Sequence, residues 1–152
     1  MITINFVCVG NLKEKFWRDA QEEYVKRLHA FCKINIIEVA ERNNESNDQI
    51  TLDKEGKDIV SKAKGYKILM DRQGKNLSSE EIAKRIEELS LQNSEITFII
   101  GSSCGVSNEV DKQSNEKISF GKNTFPHNLA RIMLLEQIYR AFMISSNRKY
   151  HK

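Results

Sequence analysis

The chain has 152 residues, of which 39% are hydrophobic and 30% charged, and its formal net charge at pH 7 is +3. This length suits one domain with a hydrophobic core, and so small a positive charge is compatible with a nucleic-acid partner without indicating one. No apolar run reaches the length of a membrane span, and the three widely spaced cysteines, Cys8, Cys32 and Cys104, match neither a disulfide framework nor a zinc site.

The first forty residues predict a strand, a helix and a second strand. Residues 2–9 are largely apolar and begin directly with strand-like residues, without a signal peptide, so we expect a reduced protein in the cytoplasm. Residues 13–31 have the spacing of an amphipathic helix, whose inward side chains are Phe16, Trp17, Ala20, Tyr24, Val25 and Leu28. We interpret its charged face as solvated rather than as a binding surface. Residues 34–39 predict the second strand.

The next segment predicts a loop, a helix, a strand and a turn. Residues 40–48 are polar and rich in asparagine, which indicates a mobile loop. A helix is expected over residues 49–64, ended by Gly65, with Ile50, Ile59, Val60 and Ala63 facing inward. Residues 66–70 predict the third strand and residues 71–76 a turn.

The third helix begins with a capping box, in which Ser78 and Glu81 satisfy each other's backbone N–H groups. Residues 96–100 form a continuous apolar run, typical of a strand covered on both faces. A short helix from about residue 108 and a fifth strand over residues 117–120 follow. There is no internal repeat.

Strands that alternate with helices predict an α/β fold with a mostly parallel sheet and helices on both of its faces. Ligands of such sheets bind at the loops that leave the carboxyl ends of the strands. The loops after Met70, Ile100 and Phe120 are therefore the candidate ligand sites.

The last helix, expected over residues 129–144, is apolar on nearly all sides, and its charged residues do not gather on one face. Pro126 and Asn128 both suit a helix start. A helix of this kind is buried on several sides, and a domain of this size rarely encloses one completely. We therefore favour a homodimer over a central core helix in a monomer.

The segment from Gly101 to Gly105 is too loose for a phosphate loop, so its glycines indicate either a structural turn or a ligand site. Cys104 invites a second interpretation, as a nucleophile with His127 as its base. Most cysteines, however, are small apolar residues. No acidic cluster indicates a metal site.

Short motifs along the whole chain resemble those of one known family. At the C-terminal end they are Thr-Phe-Pro-His at 124–127, Arg131, Glu-Gln-Ile-Tyr-Arg-Ala at 136–141 and Tyr-His-Lys at 150–152. Earlier motifs are residues 9–17, Asp-Lys-Glu-Gly at 53–56, Gln-Gly-Lys at 73–75 and Ser-Ser-Glu at 78–80. Together they closely resemble the RlmH family, the small SPOUT-class methyltransferases of large-subunit ribosomal RNA.

The resemblance implies a single-domain, parallel-sheet SPOUT fold over residues 1–152, with a deep trefoil knot at its C-terminal side. It also implies a homodimer and S-adenosylmethionine as the methyl donor, with no metal. The cofactor site implied by the family is built from the three loops already identified. Its residues here would be Met70, Gly101, Phe120, Gly121, Lys122, Asn123, Thr124 and Phe125.

The reaction implied is methylation of N3 of pseudouridine 1915 in 23S rRNA, on the assembled 70S ribosome. The enzyme must align N3 with the methyl group and help to remove the N3 proton. The catalytic residues by resemblance are His127, Arg140, Tyr150 and His151. In a family dimer the tail of one subunit completes the site of the other, so Tyr150 and His151 would position the base across the interface.

One departure from the family pattern concerns the glycine loop. Family members usually carry a second glycine after the one that matches Gly101, whereas this chain has Ser102. The added side chain either crowds the cofactor or points away. A non-catalytic ribosome-associated module that kept the fold is therefore an alternative to the enzyme.

Overall fold

The computed structural model describes residues 1–42 and 47–152 and shows an α/β fold built on one five-stranded parallel sheet, as predicted. The strands are β1 Thr3–Val9, β2 Lys33–Val39, β3 Tyr66–Asn76, β4 Glu95–Ile100 and β5 Glu116–Ser119. The helices are α1 Lys15–Leu28, α2 Asp48–Lys62, α3 Ser79–Gln92, α4 Asn108–Gln113 and α5 His127–Ser145. Residues 43–46 of the loop expected over residues 40–48 lie outside the described residues.

The strands lie in the order β2-β1-β4-β3-β5, and every neighbouring pair is parallel. In β4, the five residues of the apolar run at 96–100 are all buried, which confirms a strand covered on both faces. Because β3 lies between β4 and β5, the carboxyl ends of these three strands are neighbours along one edge of the sheet.

The two faces of the sheet carry different helices, because successive side chains of a strand point to opposite faces. Ile4, Phe6 and Cys8 of β1 face a core that includes Leu28 of α1 and the inner residues of α3 and α5. The other core contains Val7, Val9, Ile59 of α2 and Val110 of α4. One face of the sheet is therefore covered by α1, α3 and α5, and the other face by α2 and α4.

The capping box of α3 is confirmed. The Ser78 hydroxyl accepts a hydrogen bond from the Glu81 N–H at 3.1 Å, and the Glu81 carboxylate accepts one from the Ser78 N–H at 2.9 Å. Both bonds satisfy donors that a helix start would otherwise leave unpaired. The first turn of α3 is thus held in place by its own sequence.

The turn expected at residues 71–76 is wrong, because β3 continues to Asn76. Met70 and Lys75 both lie opposite Ile118 of β5, so the residues between them form a bulge in the strand. A Cβ at Gly74 would lie 2.6 Å from the Ile118 backbone nitrogen. The polar sequence suggested a turn, whereas Gly74 allows the strand to continue beside β5.

Two inward positions predicted from helical spacing are also wrong. Phe16 is 63% exposed and packs on Trp17 with ring centroids 4.8 Å apart, and Ile50 is 37% exposed. Both residues lie in the first turn of their helices. The core is reached further along, at Leu28 in α1 and Ile59 in α2.

Helix α5 packs against the sheet between α1 and α3. It begins after Pro126, whose carbonyl accepts from the Ala130 N–H at 2.9 Å. Asn128 lies inside the helix and does not cap it, so Pro126 alone marks the start. The buried residues of α5 are Arg131, Leu134, Leu135, Ile138, Ala141 and Met143. Apart from Met143, these residues lie on one face of the helix, and the other residues of α5 up to Ile144 are half-buried. The expectation of a helix buried on several sides is therefore met only in part by the single chain.

Candidate functional site

The residues expected to hold a cofactor lie on three segments at the carboxyl edge of the sheet. Met70 is half-buried at the start of the β3 bulge, Gly101 directly follows β4, and Phe120 directly follows β5. The sheet order makes these three segments neighbours. We refer to residues 70–74, 101–107 and 120–126 as the three loops.

The loop after β4 is a tight turn that requires glycine at its first position. The Gly105 N–H donates to the Ser102 carbonyl at 2.9 Å. A Cβ at Gly101 would lie 2.5 Å from the Gly105 carbonyl oxygen and 2.6 Å from Cγ1 of Val106. These distances leave no room for a side chain at Gly101.

The side chain of Ser102 bonds within this same turn. Its hydroxyl accepts from the Cys104 N–H at 3.3 Å, and Ser102 and Gly105 form an isolated antiparallel bridge. Ser102 therefore has a local role in the turn.

The loop after β5 is connected to β5 and to the β3 bulge. The Ser119 hydroxyl accepts from the Gly121 N–H at 2.9 Å. Arg72 donates to the Thr124 hydroxyl at 2.8 Å, which joins the bulge of β3 to this loop. Lys122 and Asn123 are exposed, and Phe125 is half-buried.

The backbone of two loops borders open space. Gly105 and Gly121 adopt φ of +94° and +115°, and a Cβ at either position would have no atom within 4 Å. Glycine permits this conformation and leaves the backbone accessible to a ligand. The loops therefore have room for the S-adenosylmethionine that the resemblance implies.

His127 is the first residue of α5 and adjoins the loop after β5. Its Nε2 and the Glu41 carboxylate lie 3.9 Å and 3.4 Å from the position that a Cβ at Gly10 would occupy. Among the described residues no hydrogen bond joins Cys104, which is exposed, to His127. No observed contact therefore supports the interpretation of Cys104 as a nucleophile with His127 as its base.

A buried arginine fixes the start of α5 against the end of β1. Arg131 is 1% exposed and donates to the Glu38 carboxylate at 2.7 Å, to Gln21 at 3.1 Å and to the Gly10 carbonyl at 3.1 Å. Sequence reasoning missed this role. The signal was an arginine between apolar residues of α5 together with Glu38 between Ile37 and Val39 of β2, since buried opposite charges tend to pair.

The other three expected catalytic residues form a second group, the C-terminal cluster of Arg140, Tyr150 and His151. The Arg140 guanidinium lies over the Tyr150 ring, 4.8 Å from its centroid, and 3.1 Å from Nδ1 of His151. The Tyr150 ring also packs edge-on against Tyr139 with centroids 4.9 Å apart. The chain terminus is therefore folded back onto α5.

Two carboxylates, which the sequence did not indicate as part of the site, hold this cluster. Glu136 accepts from Nε of Arg140 at 2.6 Å, one turn away on α5, and raises the pKa of Arg140 above its ordinary value. Glu80 of α3 lies 2.6 Å from Nε2 of His151, and this hydrogen bond lowers the pKa of Glu80. Arg140 is consequently a permanent cation.

One chain does not bring its four expected catalytic residues together. Arg140 lies thirteen positions after His127 on one continuous α-helix, which corresponds to about 20 Å at 1.5 Å per residue. His127 lies beside the three loops, whereas the C-terminal cluster lies towards the opposite end of α5.

An apolar groove of about 550 Å³ lies away from the three loops, between α3 and α5. Its lining includes Ile2, Ala83, Ile86, Asn93 and Phe142. Ile2 and Asn93 precede β1 and β4, so the groove lies at the amino ends of the strands, opposite the expected ligand edge. Size does not single out this groove, since a larger cavity of about 910 Å³ is lined by Gln73 and Gly74 of the first loop together with residues of α3 and β5.

Residues 1–42 and 47–152 contain no helix with the length and hydrophobicity that a membrane span needs. No group of three or more His, Cys, Asp or Glu side chains in these ranges is arranged to hold a metal ion.

Comparison with known proteins agrees with this architecture. A family model described as "Predicted SPOUT methyltransferase" matches residues 2–151. The tRNA (m1G37) methyltransferase from Aquifex aeolicus has a similar fold, with a TM-score of 0.56 and 16% identity, over 91% of this chain and 69% of that one.

Several proteins named ribosomal RNA large subunit methyltransferase H are similar in sequence. Those from Fusobacterium nucleatum and Lactobacillus acidophilus are 45% and 47% identical to this chain, over 99% of it and 100% of their own length. The protein from Clostridium acetobutylicum is 45% identical with the same coverage. The chain therefore belongs to the SPOUT methyltransferase family and, within it, to the RlmH family.

Proposed function

We propose that this chain transfers a methyl group from S-adenosylmethionine to N3 of pseudouridine 1915 in 23S rRNA, on the assembled 70S ribosome in the cytoplasm. The observation that carries the proposal is the 45–47% identity, over full length, to proteins named ribosomal RNA large subunit methyltransferase H. Residues 1–152 would then form one domain, whose C-terminal part contains the trefoil knot of the resemblance.

The cofactor site of this proposal is made of the three loops. Gly101 permits the tight turn after β4, and the backbones of Gly105 and Gly121 border open space. Met70 and Phe120 supply apolar surface, and the loop from Phe120 to Phe125 supplies the remaining contacts, including Gly121, Lys122, Asn123 and Thr124. S-adenosylmethionine, when bound, supplies an electrophilic methyl group.

The active enzyme of this proposal is a homodimer with composite sites. If His127 and the C-terminal cluster act on one substrate base, two subunits must contribute, because these groups lie about 20 Å apart along one helix. The tail of one subunit would reach the three loops of its partner. Half-buried apolar residues of α5, such as Met133 and Phe142, are available for an interface.

The residues then have separate tasks. Arg140, whose charge Glu136 stabilises, offers hydrogen-bond donors to the oxygens of the target base as negative charge develops there. Tyr150 and His151 position the base, and Arg148, Lys149 and Lys152 meet phosphates, which place the RNA without reading its sequence. His127 beside the loops is the candidate acceptor for the N3 proton.

Transfer of labelled methyl groups from S-adenosylmethionine tests this proposal. The substrates are intact ribosomes that lack the modification, with free large subunits and naked RNA as controls. Label on the pseudouridine of intact ribosomes alone supports the proposal. Folded protein that labels no substrate would instead favour the non-catalytic module.

A further inference from the structure

The terminal tail is attached to two helices by a chain of four polar side chains. Nε2 of His151 lies 2.6 Å from the Glu80 carboxylate on α3, and its Nδ1 lies 3.1 Å from the Arg140 guanidinium on α5. Arg140 in turn donates to Glu136 at 2.6 Å. Both ring nitrogens of His151 are therefore engaged.

This geometry determines where the proton of His151 lies. A guanidinium has only donors, so Nδ1 of His151 must accept with its lone pair. The proton then lies on Nε2 and is donated to Glu80. A doubly protonated ring would place an N–H against the guanidinium, so the contact with Arg140 requires the neutral Nε2–H form.

We propose that Glu80 is a positioning residue for methyl transfer, because its carboxylate fixes His151 as the Nε2–H form and thereby orients Arg140 and the tail. The role rests on the proposed function of Arg140 and His151. One consequence is that His151 does not take the N3 proton while this contact stands, since its only lone pair is occupied.

Glu80 has little to contribute to the stability of the fold. Its side chain is 63% exposed, and exposed ion pairs add little to stability. The His151 side chain is 26% exposed and lies one residue from the end of the chain. Loss of Glu80 should therefore free the His151 ring and leave the protein folded, with Tyr150 still packed against Tyr139.

Three variants test the role. Glu80→Ala removes the acceptor for the His151 Nε2–H. We expect kcat to fall on the order of tenfold, which is typical when a side chain that orients a catalytic histidine is removed. The KM for S-adenosylmethionine should not change. Glu80→Gln keeps a carbonyl oxygen for the Nε2–H and should retain most activity. Glu87→Ala, an exposed glutamate of the same helix, is the matched control and should behave as the wild type.

A spectroscopic measurement provides a readout independent of activity. Nitrogen-15 NMR of the imidazole distinguishes protonated from unprotonated ring nitrogens, with His151→Asn to assign the signals. We expect Nε2 protonated and Nδ1 unprotonated in the wild type, and a mixture of both forms in Glu80→Ala. An Nδ1–H or doubly protonated ring in the wild type would overturn the proposal.

The kinetic outcomes separate this inference from the proposed function. An active wild type with an unchanged kcat in Glu80→Ala would refute the role of Glu80 alone. A wild type inactive on every RNA would overturn both.

Discussion

The Arg131 guanidinium donates to the Glu38 carboxylate at 2.7 Å, although the Arg131 side chain is 1% exposed and the Glu38 side chain 38% exposed. The pair joins α5 to β2, and Arg131 also bonds to the Gly10 carbonyl at the end of β1. His127 and the loop after β5 lie one turn before Arg131. The pair therefore supports the part of the chain that faces the candidate site.

Glu38→Ala should destabilise the protein by about 2 kcal/mol, because it leaves the buried Arg131 charge without its carboxylate. Access of water to Glu38 keeps the cost below that of breaking a fully buried pair. Urea unfolding of the variant measures the difference. Glu87→Ala is the control, expected within about 0.5 kcal/mol of the wild type. Equal stability of all three proteins would show that the pair has no such role.

Gly101→Ala should weaken S-adenosylmethionine binding at least about tenfold, because a shift of about 1 Å in the groups that position a ligand can have an effect of this order or more. The added Cβ would lie 2.5 Å from the Gly105 carbonyl oxygen, so the turn must shift. Glu87→Ala, at an exposed position of α3 outside the three loops, is the control. Titration calorimetry measures both affinities. Binding by Gly101→Ala as tight as that of Glu87→Ala would contradict this account of the turn.

Ser102→Gly should change S-adenosylmethionine affinity and methyl transfer by less than about threefold, the effect of losing one weak, neutral hydrogen bond. The reason is that the Ser102 hydroxyl bonds to the Cys104 N–H within its own turn. A tenfold gain in affinity on this substitution would show instead that the serine crowds the cofactor.

Cys104 should react with a thiol reagent in the native protein, whereas Cys8 and Cys32 should not. Burial raises the pKa of both Cys8 and Cys32 from 9.0 to about 12, and Cys104 is exposed. Mass spectrometry after alkylation at pH 9 identifies the modified residues. Cys104→Ser should keep full methyl transfer, and a loss of transfer would revive the nucleophile interpretation.

The raised pKa values of Cys8 and Cys32 should make the folded protein less stable at high pH. Their folded-state pKa exceeds the unfolded value, so the unfolded chain binds fewer protons than the folded one between pH 9 and 12. Their contribution is therefore fully present below pH 9 and is lost as the pH rises through this window.

The sequence predicted the parts of the fold that depend on local patterns. The apolar run of β4 and the capping box of Ser78 and Glu81 are strong signals, because burial on two faces and a helix start each require particular residue types. The strand after Met70 was missed, since its polar residues pair with an edge strand that only the tertiary structure supplies. The exposure of Phe16 was not predicted, because helical spacing shows which side of a helix is apolar but not how much of its length the core covers.

The candidate site, like the fold, has parts that local sequence patterns predict and parts that they do not. The three loops follow from the alternation of strands and helices, because parallel strands place their carboxyl ends along one edge. Glu80 and Glu136 were not predicted to hold His151 and Arg140, since Glu80 and His151 meet across seventy-one positions of sequence. Spacing along the chain carries no information on such contacts.

Deletion of residues 149–152 should abolish methyl transfer and leave S-adenosylmethionine binding nearly intact, because the tail lies with Arg140, far from the three loops of its own chain. Binding and transfer are measured on the same preparation. Loss of both together would contradict the division between cofactor loops and tail.

Complementation between two inactive variants tests the composite site most directly. One variant lacks residues 149–152, and the other carries Gly101→Val in the cofactor loops. If each site combines the loops of one subunit with the tail of its partner, a re-equilibrated equal mixture of the two should form about one quarter of the wild-type number of active sites. Restored methyl transfer at that level is the predicted result. A mixture as inactive as each variant alone, with mixed dimers shown to be present, would contradict the account.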